Sequence, residues 1–387
     1  MIKRIIVCSS GYPTATDAVC PFVEQLVNAF SLCGISVTVV APQSIVKHWF
    51  RGQELHPQKR TYVYNNGTPI TIYQPYVMSF GNRFEKLNAW LRDRVVYQTL
   101  KKYNIMADVC YGHFWHHAYS LYNYARENKI PLIAVSGESV ISLHRIHKPE
   151  SLTDFIDYVS GLICVSSKNR DESVQKGLLA DLSKCHVIPN AIDNNLFKVL
   201  DRNLLRSSYG IADTDFVIAY VGWFDHNKGV LRLSDAIDKL NNPNIKSIFI
   251  GDSRDNIVMN PSCNGILHKG RLPHDEIPKY LNMADVFVLP TLHEGCNNAI
   301  IEAMACGLPI ISSDLPFNAD VMDESNSIKV DPLNVDQIAN AIKTLYDNPD
   351  YRNCLSSGAL KTAESLTITE RAYKIINFIE SKIYKSK

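Results

Sequence analysis

The sequence predicts an α/β protein made of two Rossmann-like units in tandem, each a parallel sheet covered by helices on both faces. Three observations predict it. Short apolar, β-branched runs with little internal alternation recur along the chain, and amphipathic stretches separate them. The length of 387 residues exceeds one ordinary core and suits two domains. The charge also changes sign: residues 1–187 together with 366–387 carry 25 Lys and Arg against 16 Asp and Glu, a net of +9, whereas 188–365 carry 15 against 23, a net of −8. Such a split suits two units with different electrostatic tasks.

In the first half the strand-like runs are RIIVCSS, SVTVVA, TPITIYQP, ADVCYG, PLIAVS and GLICVS. Helix-like stretches such as FVEQLVNAFSLCG and NRFEKLNAWLRDRVVYQTLKKY lie between them. The second half repeats the rhythm with FVIAYVG, IKSIFIGD, GILHKG, DVFVLP and LPIISSD, interleaved with GVLRLSDAIDKLNN, HDEIPKYLNMA and VDQIANAIKTLYDN. VIPNAIDNNLF, residues 187–197, runs a strand into Pro189 and a polar turn, so the boundary is placed there: a first domain over 1–187 and a second over 188–365. The last helix, ITERAYKIINFIESKIYK, is basic like the first half, and 366–387 is expected to pack back on the first domain.

Composition narrows the class. Apolar content of 46% and charged content of 20% are those of a globular chain. The opening MIKRIIVCSS has too short an apolar run for a signal peptide and reads as a strand, and no run approaches the ~20 apolar residues of a membrane span. Ten cysteines without a C-x-x-C pair or metal-like spacing read as free thiols in a reducing compartment, which points to a cytoplasmic protein.

In open parallel sheets ligands bind beyond the carboxyl ends of the strands, so the strand-to-helix loops are where chemistry is expected. Four stand out. In SSGYPTATDAVCPFV, Gly11 and Pro13 make a turn that lets a phosphate or sugar approach the backbone, and Thr16 or Asp17 is placed to cap the next helix. In DVCYGHFWHHAYS, His113 directly follows a strand; no Asp, Glu or Cys joins His113, His116 and His117 at zinc-like spacing, so no metal is assigned. In YVGWFDHNKGVLRL, Lys228 stands just before Gly229 at a helix start, an ammonium beside free N–H groups and hence an anion site, although the Walker pattern is absent. The fourth is HEGCNNAIIEAMACGLP. On one continuous helix Glu294 and Glu302 would stand ~12 Å apart along the axis, too far to work on one bond as a glycosidase pair does. Gly295 and Asn297-Asn298 are helix-start signals, so Glu294 belongs to the loop and Glu302 to the helix. That helix is apolar nearly all round and should be buried, so Glu302 needs hydrogen-bond donors, which sugar or ribose hydroxyls supply.

Together these motifs resemble a family 4 retaining glycosyltransferase of the GT-B fold over essentially the whole chain. The specific match is the glutamate, seven residues, glutamate block in HEGCNNAIIEAMACGLPII, supported by VIPNAID, by GDS after IKSIFI and by ADVFVLPT. GHFWHHAYS and EGCNNAIIEAMACG are similar to the polysaccharide and teichuronic-acid branch. The resemblance implies two domains facing a central cleft, the first for the acceptor and the second for a nucleotide sugar linked through UDP or GDP. It implies catalytic roles for His113, Glu294 and Lys228. Glu302 would bind the ribose, Glu294 the transferred sugar, and Lys228 the diphosphate. Gly11 would stand beside the phosphates and His113 before the sugar. Gly222, Arg271, Cys296, Asn297 and Asn298 complete the expected donor site. No metal and no cofactor are implied.

Two positions depart from the family pattern. Trp223 stands where an arginine usually follows the glycine, leaving His226, Arg254 and Arg271 as candidates for the second cation, and Ser136 replaces a frequent histidine. The acceptor, a glycan or a lipid-linked sugar, is expected on the first domain, with no nucleic acid as partner. There Arg83, Lys86, Arg92, Arg94, Lys101 and Lys102 crowd one helix, and Trp49-Phe50 sits among Lys47, Arg51 and Lys59, a composition suited to peripheral contact with an anionic membrane at the inner face of the plasma membrane. The rival readings are a degenerate sugar-nucleotide binder and, more distantly, a nucleotide-sugar epimerase.

Overall fold

The computed structural model describes residues 1–13, 20–253 and 258–384, with the side chains of Arg51, Asn82 and Pro149 excepted. The chain forms two compact units, Met1–Ile188 with Ile368–Lys387, and Pro189–Thr367.

The strands of the first unit are β1 (Arg4–Cys8), β2 (Ser36–Val40), β3 (Gln43–Ser44), β4 (Lys59–Val63), β5 (Pro69–Tyr73), β6 (Tyr76–Val77), β7 (Val109–Gly112), β8 (Leu132–Ser136), β9 (Val159–Cys164) and β10 (Cys185–Val187). Eight of them form one sheet in the order β10-β9-β8-β7-β1-β2-β5-β4, parallel except for the β4–β5 pair, while β3 and β6 pair separately. Every residue of β7 and β8 is buried, as expected of central strands covered on both sides. The antiparallel β4 escapes the sequence pattern because KRTYV has no apolar run and alternates exposed with half-buried residues; its charges suit a sheet edge. Helices that matter below are α1 (Pro21–Leu32), α2 (Ile45–Arg51), α3 (Glu85–Lys102) and α4 (Trp115–Glu127). Thr16 and Asp17, expected as caps of the first helix, lie outside the described residues; Cys20 is the N-cap of α1.

The last helix, Ile368–Tyr384, belongs to this first unit. Its Arg371 donates from Nη1 to the Ile188 carbonyl at 2.7 Å, Glu380 accepts from the Ile2 N–H at 2.9 Å, and Gly161 on β9 meets Phe378, where a Cβ would come within 3.0 Å of the ring. The unit boundaries fall one and two residues beyond 187 and 365. Ile188 stays with the first sheet through its N–H bond to the Cys164 carbonyl, and Thr367 stays with the second unit by bridging Ile192.

The second unit holds β11 (Phe216–Val221), β12 (Ile245–Ile250), β13 (Ile266–Gly270), β14 (Val286–Leu289), β15 (Ile310–Ser313) and β16 (Ser327–Val330), all parallel in the order β13-β12-β11-β14-β15-β16. The order reverses between β11 and β14, so the loops after these two strands diverge and leave room for a ligand at their carboxyl ends. Beneath, at the opposite strand ends, the buried Asp285 accepts from Arg206 Nη2 at 2.6 Å and from Arg202 Nη2 at 2.5 Å, pinning the helix Arg202–Ser208 to the sheet. No described helix is long and apolar enough to cross a membrane.

Candidate functional site

The loop after β11 carries Lys228 and the loop after β14 carries Glu294, and backbone and side-chain bonds stitch the two together. Leu292 N–H donates to the Asn227 carbonyl at 2.8 Å, Asn227 Nδ2 to the His293 carbonyl at 3.1 Å, and Arg232 Nη2 to the Pro290 carbonyl at 2.8 Å. Gly229, the N-cap of the helix Val230–Leu240, has φ +75° and passes so close to the second loop that a Cβ would stand 2.4 Å from the Pro290 oxygen. Only glycine fits there. The result is that Lys228 Nζ reaches Glu294 Oε1 and pairs with it, while Thr291 Oγ1 and Asn297 Nδ2 donate to the same oxygen, each at 3.1 Å.

Between the two acids the helix Asn298–Ala305 begins where the sequence places it. Asn297 is its N-cap and accepts from the Ala299 N–H at 3.0 Å. Cys296 and Asn297 are buried, and Asn190 fixes the approach by donating from Nδ2 to the Cys296 carbonyl at 3.0 Å and to Asn298 Oδ1 at 2.8 Å. Asn190 lies within VIPNAID, and its pairing across 106 residues leaves no local signal in the sequence. Glu302, on the inner turns of this helix, receives His274 Nε2 at 3.3 Å. That bond, before burial and the nearby carboxylates Asp275 and Asp193, decides the direction of the His274 shift, which is upward. His274 was also not singled out in the sequence.

Gly222 follows β11 and its N–H donates to the Ile250 carbonyl at 3.0 Å; Gly251, with φ +151°, comes so near that a Cβ would overlap the Gly222 oxygen at 1.9 Å. Trp223 follows, and the Arg271 guanidinium lies over its ring at 5.1 Å and pairs through Nε with Asp252 at 3.1 Å. Arg254 lies outside the described residues, and the His226 carbonyl accepts from Arg232 Nη1 at 2.9 Å.

Gly11 and His113 belong to the first unit. The Gly11 carbonyl accepts from Ser9 Oγ at 2.6 Å. His113 follows β7 and is 7% exposed, packed against Phe22 and Phe114, and its Nδ1 has no hydrogen-bond partner among the described residues. Burial, and secondarily the Arg371 charge, pushes its pKa down to about 3, so the ring is neutral at working pH. Phe114 takes φ +84°, a strained value for a bulky residue, and gives α4 no side-chain cap. The cap comes from another loop: Glu138 Oε1 accepts the Trp115 N–H at 2.9 Å and Oε2 the Gly137 N–H at 3.0 Å. Desolvation raises this carboxyl to about 7. No group of three or more metal-ligating side chains occurs among the described residues.

Residues 201–362 match the family described as glycosyl transferases group 1. Among curated relatives, the teichuronic acid biosynthesis glycosyltransferase TuaC of Bacillus subtilis, an assignment its own name marks as provisional, is 24% identical over 89% of each chain. The UDP-Gal:alpha-D-GlcNAc-diphosphoundecaprenol alpha-1,3-galactosyltransferase of Escherichia coli is 29% identical over 55% of this chain and 58% of its own. Among solved structures, sucrose-phosphate synthase from Thermosynechococcus elongatus superimposes with a TM-score of 0.78 at 16% identity over 100% of both chains. Anabaena HepE in complex with UDP gives 0.71 at 18% identity over 98% of this chain and 100% of its own. Fold and relatives together support a glycosyltransferase of the GT-B fold.

Proposed function

We propose that the protein is a family 4 retaining glycosyltransferase that moves a sugar from a UDP- or GDP-linked donor to a glycan or lipid-linked acceptor in cell-surface polysaccharide or glycoconjugate synthesis. One observation carries the reading: Lys228, Glu294 and Asn297 meet at the N-terminus of the helix Asn298–Ala305, with Glu302 on that helix, all beyond the carboxyl ends of β11 and β14. The relatives' names lean the same way, since TuaC is named for teichuronic acid and a Staphylococcus aureus relative, CapM, for capsular polysaccharide.

Cleavage of an anomeric bond to a diphosphate develops negative charge on the phosphates and positive charge on the sugar. In the proposed step the helix N-terminus and Lys228 stabilise the first charge, and no metal is assigned to it. Lys228 would exchange Glu294 for the diphosphate, freeing that carboxylate for hydroxyls of the transferred sugar. Glu302 takes the ribose hydroxyls, and Arg271, carried over Trp223, supplies the second cation near the phosphates. The acceptor hydroxyl attacks from the face that the phosphate leaves, and that phosphate takes its proton, so configuration is retained. For His113 and Gly11 the proposed roles, toward the sugar and the phosphates, rest on the resemblance alone.

A thermal-shift panel of nucleotides and nucleotide sugars tests the donor assignment. A true donor at 100 times its Kd stabilises the fold by about 2.7 kcal/mol, and Glu302→Ala should abolish the shift. Equal shifts in wild type and variant would remove the assignment.

A further inference from the structure

Two of the ten cysteines meet at one end of the first sheet. Cys164 ends β9, and Cys185 opens β10, the end strand of the eight. The parallel register sets Cys185 beside Leu162 and Val187 beside Cys164. Residues two apart on a strand share a face, so both thiols stand on the same side of the sheet. There they are in hydrogen-bond contact, Sγ to Sγ at 3.6 Å, and Ser173 of the helix Ser167–Gln175 also bonds Cys164.

Their surroundings differ. Cys164 is buried in the core of the first unit. Cys185 is half-buried and lines a cleft of about 780 Å³ with Arg170, Asp171, Val174, Gln175 and His186. The contact with Cys164 holds the Cys185 thiol below its ordinary value against the effect of burial; the Arg170 charge adds to the lowering and Asp171 opposes it. The same contact, together with burial, pushes Cys164 up. An accessible thiol with thiolate character beside a buried partner is the arrangement of an attacking and a resolving cysteine.

The strand also has room to close the bond. A disulfide needs about 2.05 Å between sulfurs, so the pair must approach by roughly 1.5 Å. Because β10 is three residues long, ends the sheet and follows the 3₁₀ turn Leu182–Lys184, it can shift toward β9 without breaking a second ladder. One residue past β10, the Ile188 N–H donates to the Cys164 carbonyl at 2.8 Å, and Pro189 opens the second unit. A bond between the sulfurs would therefore fasten to β9 the strand by which the chain leaves the first unit.

We propose that Cys164 and Cys185 form an oxidative modification site, a dithiol that a hydroperoxide converts to a disulfide. With hydrogen peroxide, the Cys185 thiolate attacks one oxygen: the S–O bond forms, the O–O bond breaks, and the departing hydroxide takes up the proton that Cys185 released. Cys164 then attacks the sulfenic sulfur. The S–S bond forms, the S–O bond breaks, and the oxygen leaves as water with the Cys164 proton. Two thiols lose two electrons, and one peroxide becomes two waters. Neither step involves the sugar-transfer residues, and in a reducing compartment the pair stays a dithiol until oxidant arrives.

The test uses the full chain, reduced, freed of reductant and exposed to hydrogen peroxide at neutral pH. Remaining thiols are capped with N-ethylmaleimide after unfolding, and peptides are mapped by mass spectrometry. The expected product joins the peptides of Cys164 and Cys185, lighter by two hydrogens than the two together, and dithiothreitol separates them. Linkage should form on the order of tenfold faster than oxidation of Cys354, an exposed cysteine of the same chain. In Cys164→Ala, dimedone should trap a sulfenic acid on Cys185, and in Cys185→Ala, Cys164 should remain a thiol. Linkage in the wild type decides the pairing by itself, whether or not either variant folds. Capped, unlinked Cys164 and Cys185 after Cys354 has been oxidised would overturn the proposal. So would linkage that forms only in urea, Cys185 carried to sulfinic acid while Cys164 stays capped, or a sulfenic acid on Cys164 in Cys185→Ala.

Discussion

Lys228 and Glu294, 66 residues apart in sequence, form an ion pair in which the carboxylate oxygen also takes hydrogen bonds from Thr291 and Asn297. The side chains are 18% and 12% exposed, so neither charge is well solvated by itself. A cation and a carboxylate assigned to different parts of one donor thus neutralise each other before it arrives.

Breaking this pair from either side should have unequal consequences. Lys228→Ala leaves Glu294 with two neutral donors and is expected to lower stability by ~1–3 kcal/mol and transfer by two orders of magnitude or more. Glu294→Gln keeps an oxygen for Thr291 and Asn297, so its melting temperature should fall less while transfer falls comparably. Chemical denaturation and initial rates, measured on both variants, check the contrast.

The Arg271 guanidinium over Trp223 should matter for diphosphates more than for monophosphates. Arg271→Ala is expected to weaken a nucleoside diphosphate by about tenfold, the scale of one charge-assisted hydrogen bond, and its monophosphate much less. Trp223→Arg should recover part of the loss when combined with Arg271→Ala. Equal weakening of both nucleotides would place Arg271 on the nucleoside instead.

The His274–Glu302 bond predicts a pH dependence of known sign. The folded His274 pKa is raised above 6.5, so its stabilising contribution is complete below pH 6.5 and disappears as pH rises through the higher folded value. The melting-temperature gap between wild type and His274→Gln should therefore narrow from pH 6 to pH 8.5. A gap that widened over this range would contradict the assignment.

His113 predicts the opposite trend in the first unit. Its folded pKa of about 3 lies below the ordinary 6.5, so stability is full above pH 6.5 and is lost as pH falls toward the folded value. At pH 5 the loss from this one ring is on the order of 2 kcal/mol. Replacing His113 by Gln should make the acid limb of the stability curve shallower, read by urea unfolding at pH 5 and pH 7.

The repeating strand and helix runs made both sheets legible, because buried parallel strands write their burial on both faces as continuous apolar sequence. Two edge strands did not show: β4 has no apolar run, and β16 is a four-residue strand with Lys329 in it. At the site, Asn297 announced the helix start through its capping chemistry, and the loop position of Glu294 followed from it. Asn190, His274 and Glu138 stayed silent, since each acts through a bond to a residue 23 to 108 positions away. Arg271 was one of three candidates for the second cation, and only its placement on Trp223 distinguishes it among the described residues.

Transfer with retention from a nucleotide sugar held by Glu302 and Lys228 is tested most directly by proton NMR of the reaction of wild type with UDP- and GDP-sugars and a saccharide acceptor, reading the anomeric configuration of the product. An α-linked donor should give an α-linked product, with turnover lost in Glu302→Ala and in Lys228→Ala. A β-linked product, or undiminished turnover in those variants, would contradict the account.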